Sequence, residues 1–125
     1  MGAPAAQQRL PGASAHMDLA KLRKLLALDP NDPLSRFALG QKLAEGSNPT
    51  ELNEAVEHLR FANQNAPQHL ATYHVLAGLL IRLGRKDEAR PVLTEGIRRA
   101  TAVGEGMGRD LAPAMREMLQ SLGER

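Results

Sequence analysis

Apolar residues in this chain fall into short blocks with three- and four-residue spacing, separated by breaks that carry proline or glycine. That spacing gathers them on one face of a helix. Leu19, Leu22, Leu25 and Leu26 predict a first helix over 17–28, with Lys21, Arg23 and Lys24 mostly off the apolar face. Asp29-Pro30-Asn31-Asp32-Pro33 interrupts it, because proline disfavours helix at the residue before it. Asp32 suits an N-cap and Pro33 a first helical position, so a second helix is predicted over about 34–45 through Phe37, Leu39, Gly40 and Leu43. After the break Gly46-Ser47-Asn48-Pro49, a third helix over about 50–65 carries Leu52, Ala55, Val56, Leu59 and Ala62.

Ala66-Pro67 ends the third helix, and the fourth, about 68–83, carries Tyr73, Leu76, Ala77, Leu80 and Leu83. Gly84 stands where a C-terminal glycine stops a helix. The fifth, about 86–101, runs through Ala89, Val92, Leu93 and Ile97; Pro91 inside it should bend the helix or free one carbonyl. Gly104-Glu105-Gly106-Met107-Gly108 is a poor helix former. A sixth helix is therefore expected from Arg109 or Asp110 to Leu122, capped by Asp110, with Leu111, Ala114, Met115, Met118 and Leu122 on its apolar face.

The blocks repeat. Arg36-x-x-Leu39-Gly40-x-x-Leu43 lies 37 residues before Tyr73-x-x-Leu76-Ala77-x-x-Leu80. Ala55-x-x-x-Leu59-x-x-Ala62 lies 34 residues before Ala89-x-x-x-Leu93-x-x-Gly96. The three-residue difference falls between Leu43 and Ala55, in a loop, where insertions are cheap. Gly40, Ala55, Ala62, Ala77 and Ala89 fall where paired helices would cross, and small side chains let helix axes approach to roughly 8–10 Å.

This spacing resembles the tetratricopeptide repeat (TPR), with Leu39, Gly40, Ala55, Ala62 and Pro67 in one unit and Tyr73, Leu76, Ala89 and Leu93 in the next. Arg36 departs from the usual bulky residue, leucines replace aromatics at 43, 59, 80 and 93, Gly96 replaces alanine and Thr101 the closing proline. Leu28-Asp29-Pro30-Asn31 looks like the phrase that ends a repeat, which makes 17–28 the second half of a degenerate upstream unit. The resemblance implies an all-α fold, a superhelix of right-handed helix-turn-helix repeats with about six helices. Its parts are repeats at 33–69 and 70–103, a half-repeat or cap at 17–28 and a capping helix at 109–122. Repeat arrays need polar-backed ends, and these two outer helices are the candidates.

Composition narrows the classes. Aromatics make up 2% of the 125 residues, so the core must be aliphatic. Residues 1–16 hold Ala, Gly, Gln and Pro and no acid, which predicts a disordered arm. There are no cysteines, hence no disulfide and no thiolate metal site. No apolar run approaches a membrane span or a signal-peptide core, so the chain is expected to be cytoplasmic.

Catalytic chemistry finds no motif. Ser14, Ser35, Ser47 and Ser121 lack a recognisable His and carboxylate arrangement, and no glycine-rich phosphate loop follows a strand. His69 and His74 are five apart, off the one-face spacing of a metal pair. His58 reads as a solvated helix residue, and Glu51, Glu54 and Glu57 with Arg60 as a charged outer face. No enzyme activity, cofactor or metal is expected.

The resemblance implies binding of a partner peptide or helix in a concave groove lined by first helices. Its positions here are Leu34, Phe37, Gln41 and Ala44, then Ala71, His74, Gly78, Ile81 and Arg82. Phe37 and Ile81 are the apolar anchors. Members that clamp a C-terminal carboxylate use Lys and Asn at positions that here carry Phe37, Gln41 and Val75, which argues against that type. Two other readings are a homo-oligomerising helical protein and weak nucleic-acid binding through Arg82, Arg85, Lys86, Arg90, Arg98 and Arg99. The formal net charge of +2 and the absence of interleaved aromatics argue against the second.

Overall fold

The computed structural model describes residues 18–123. They form α1 (Leu19–Leu28), α2 (Pro33–Ala44), α3 (Pro49–Asn65), α4 (Leu70–Arg82), α5 (Lys86–Val103) and α6 (Gly106–Ser121), with no strand among the described residues. The arm expected over 1–16, and Met17, lie outside them. Local capping explains most helix ends. Asp18, Asp32 and Asn48 each accept a backbone N–H of the following turn, from Lys21, Leu34 and Glu51 respectively. Pro33 and Pro49 occupy the first turn, where a missing N–H costs nothing. Gly84, at φ 77°, ends α4: its N–H bonds to Ile81 O and that of Arg85 to Leu80 O, the paired bonds of a left-handed C-cap. Despite Pro91, α5 runs as one helix from Lys86 to Val103.

The sixth helix departs from expectation. It starts at Gly106, with Glu105 rather than Asp110 as its N-cap residue. The cause is a close approach. A Cβ on Gly108 would lie 2.6 Å from Ala100 O and 2.9 Å from Val103 Cβ. Backbone meets backbone there, and only glycine permits it. Gly104, at φ 73°, makes the reversal that brings the two helices together.

Helices pair as the repeated spacing predicts: α2 packs on α3, α4 on α5, and α6 lies against both α4 and α5. The loops confirm the register. Asp29 and Ala66 cap α1 and α3 with nearly the same backbone, φ −150°, ψ 82° and φ −140°, ψ 65°. Asp32 N–H then bonds to Asp29 O, as His69 N–H does to Ala66 O. The side chain of Arg36 donates to Pro30 O at 2.9 Å, and the Tyr73 hydroxyl to Pro67 O at 2.7 Å. Arg36 thus makes the bond its counterpart makes 37 residues on, and its guanidinium also covers the Phe61 ring at 4.2 Å.

The crossings are built of small residues. Ala55, Ala77 and Ala89 are fully buried and Ala62 almost so. A Cβ on Gly40 would sit 2.8 Å from Leu59 Cγ and 3.3 Å from Ala55 O. One on Gly96 would sit 2.7 Å from Tyr73 Cβ and 2.8 Å from Met115 Sδ. Leu39, Leu59, Leu76, Leu80, Leu93 and Met115 fill the space beside these contacts and are wholly buried.

At one end α1 is held by Leu22, which is buried, and by Arg23, which grips Glu54 of α3 with bonds of 2.6 and 3.1 Å. Glu54 also contacts His58 at 3.1 Å. His58 is not the solvated residue expected: its side chain is only 12% exposed. The Arg23 hydrogen bonds hold the Glu54 carboxyl down at about 2, helped by that of His58.

Glycine substitutions should separate by geometry. Gly96→Ala and Gly108→Ala are each expected to lower the unfolding free energy by about 1–3 kcal/mol in urea titrations. Gly78→Ala meets only Met118 Cε at 3.7 Å and should raise it by about 0.5–1 kcal/mol. Acid supplies a second check. Because the Glu54 pKa is depressed in the fold, its contribution is present above the unfolded value of 4.5 and is lost as pH falls through about 2. Amide exchange in α1 should therefore accelerate across that window, and Glu54→Gln should flatten the dependence.

Candidate partner-binding groove

The first helices, α2, α4 and α6, lie side by side. Two contacts pin α2 to α4. Near their N-termini the Phe37 ring meets the His69 ring edge-on, with centroids 4.8 Å apart. At their C-termini Arg82 donates to Ala44 O at 2.6 Å and Gly46 O at 3.1 Å. A guanidinium on the last carbonyls of a helix satisfies acceptors that have no intrahelical donor and complements the negative end of the dipole. His69 is itself fixed, its Nδ1 2.8 Å from Thr72 Oγ1.

The nine residues proposed from sequence are all on this pair of helices, but in different settings. Leu34, 54% exposed, and Gln41 face solvent. Phe37, Ala71, His74, Gly78 and Ile81 are partly buried. Ala44 is buried. Arg82, although exposed, is committed to the carbonyls of α2 and its loop. Sequence reasoning did not include α6, whose Met118 comes against Gly78 and extends the face to a third helix. The apolar stripe of α6 carried that information, since Met118 belongs to it. An open cleft of about 410 Å³ lined by Arg116, Leu119, Gln120 and Gly123 lies on the same helix.

Elsewhere a cleft of about 580 Å³ runs between α3 and α5 over Tyr73. Its charged walls are largely paired. Glu88 accepts from Arg60 at 2.5 Å and from Arg85 at 2.7 and 2.8 Å; Glu95 accepts from Arg98 and Arg99 at 2.6–3.0 Å. Hydrogen bonds from Arg85 and then Arg60 hold the Glu88 carboxyl at about 2, and those from Arg98 and Arg99 do the same for Glu95. Arg90 donates to Gly123 O and Leu122 O at the end of α6. Of the six basic residues in the second repeat, five are thus tied to carboxylates or carbonyls, and only Lys86 is in no such bond among the described residues. Arg60 belongs to this network as well, so it links α3 to α5 instead of closing an outer face with its glutamate neighbours.

Among the described residues no group of three His, Asp or Glu side chains is placed to hold a metal ion, and no helix is long and apolar enough to cross a membrane. A family model for the tetratricopeptide repeat matches residues 43–102, from the end of α2 through α5. No curated protein matches the chain with significance. Repeats of this family generally mediate contacts between proteins and typically serve as non-catalytic scaffolds. Residues 43–102 are thus similar to tetratricopeptide repeats, and the six helices form an all-α helical-repeat fold consistent with a small TPR-like protein.

Proposed function

We propose that this protein is an interaction module that takes a partner peptide or helix on the face of its first helices, between α2 and α4. The observation that carries the reading is the division of roles on that face. Phe37 and Arg82 pin the seam at its two ends. Between and beside them Leu34 and Gln41 stay exposed, with His74 and Ile81 partly so. An apolar side chain beside hydrogen-bonding groups on a rigid support suits helix-in-groove recognition, where affinity comes from a few anchors. Catalysis has no support in the arrangement, since His58 and His69 are each engaged with a neighbour and neither adjoins a nucleophile in an open pocket.

Leu34→Asp combined with Gln41→Lys should abolish capture of the partner in a pull-down from the native cell and leave the melting temperature within about 2 °C of the parent, because exposed substitutions seldom change stability by more than about 0.5 kcal/mol. Unchanged capture by the double variant would remove the groove from the account. Phe37→Asp is a weaker probe, as it also breaks the contact with His69.

A further inference from the structure

Among the described residues Leu25, Leu28 and Leu34 are large apolar side chains left exposed on α1 and α2, at 41%, 83% and 54%. On α1 the exposed stripe is Lys21, Lys24, Leu25 and Leu28, spaced i, i+3, i+4 and i+7 along one side of the helix. Leu22, with the partly buried Leu19 and Leu26, holds the other side to the core. Arg23 is taken by Glu54, but Lys21 and Lys24 are in no ion pair among the described residues.

The matched loops place α1 as a second helix, equivalent to α3. In the array α3 is packed by α2 before it and α4 after it, whereas α1 meets only α2, the first helix that follows it, and no first helix precedes it among the described residues. The opposite end of the array differs. There α6 turns Arg109, Asp110, Pro113, Arg116, Glu117 and Gln120 outward, a mostly polar side with Met107 exposed at its start.

We propose that the α1 stripe docks an acidic amphipathic helix of a partner protein, seated on α1 as a first helix is seated on α3. Leu25 and Leu28 supply the apolar contact, and Lys21 and Lys24 select carboxylates on its flank. Charge decides between occupants. Residues 1–17 contain Arg9 and no acid, so nothing electrostatic draws them to the two lysines. A second copy pairing through α1 sets lysine against lysine. The outward side of α6 in a second copy balances Arg109 and Arg116 against Asp110 and Glu117 and offers no net attraction. This surface is separate from the groove of α2 and α4: its four residues are all on α1, and the groove residues are on α2 and α4.

The test uses the full-length protein and two synthetic helical peptides with the same leucine stripe, one flanked by glutamates and one by lysines. Fluorescence anisotropy should show the acidic peptide binding on the order of tenfold more tightly than the basic one, with NMR shifts on α1. Leu28→Glu should weaken the acidic peptide at least about tenfold without changing the melting temperature. Lys21→Glu with Lys24→Glu should reverse the preference, and Leu34→Asp with Gln41→Lys, which removes the groove, should leave it intact. Equal binding of the two peptides, shifts confined to α4 and α6, or binding that survives Leu28→Glu would overturn the proposal. So would a dimer that Leu28→Glu dissolves, displacement of the acidic peptide by a peptide of residues 1–17, or binding of anionic vesicles in preference to either helix.

Discussion

Close approach of helix backbones is the constraint on which this molecule depends. With two phenylalanines and one tyrosine in 125 residues, it cannot bury surface by inserting large rings between well-separated helices. It brings the helices together instead and fills the margins with leucine. Gly40 under Leu59, Gly96 under Tyr73 and Met115, and Gly108 under the carbonyl of Ala100 are the tightest contacts. Each joins one helix to the next within or between repeats. Because interiors are close-packed, one methyl group at such a point displaces a neighbour that has no free space to enter.

Tight crossings leave helix ends exposed at the edges of the array, and arginine meets that need. Arg82 satisfies the end of α2 and Arg90 the end of α6. Arg36 braces the turn between α1 and α2, and Arg60 and Arg85 converge on Glu88. The basic run in the second repeat is therefore architecture. Arg85, Arg98 and Arg99 are paired with carboxylates, and Arg82 and Arg90 hold carbonyls at helix ends.

Much of the fold is visible in the sequence because two periodicities coincide. The three-and-four spacing marks helices, and the 37- and 34-residue offsets mark their pairing. Gly40, Ala55, Ala77 and Ala89 are small at crossing positions, and the structure buries them there. Three features were not legible. The start of α6 was set three to four residues late, since local propensity penalises Gly106 and Gly108 whereas the tertiary approach to Ala100 demands one of them. Arg36 looked like a departure from the repeat, because a hydrogen bond to a proline carbonyl is not written in residue type. His58 looked solvated, because its partner Glu54 is itself drawn inward by Arg23 from a distant helix. The groove positions could be placed on α2 and α4 by register, but their exposure depends on α6 and on the pins at Phe37 and Arg82, which only three-dimensional contact supplies.

A double-mutant cycle on Gly40 and Leu59 tests the close-approach claim most directly. If the crossing is the determinant, Gly40→Ala should destabilise the parent protein by about 1–3 kcal/mol. In a Leu59→Ala background, where Cγ and Cδ2 no longer stand in the way, it should be neutral or stabilising by up to about 1 kcal/mol through helix propensity. The same cost in both backgrounds would show that the two helices are not held apart by Leu59, and that their separation is set by something else.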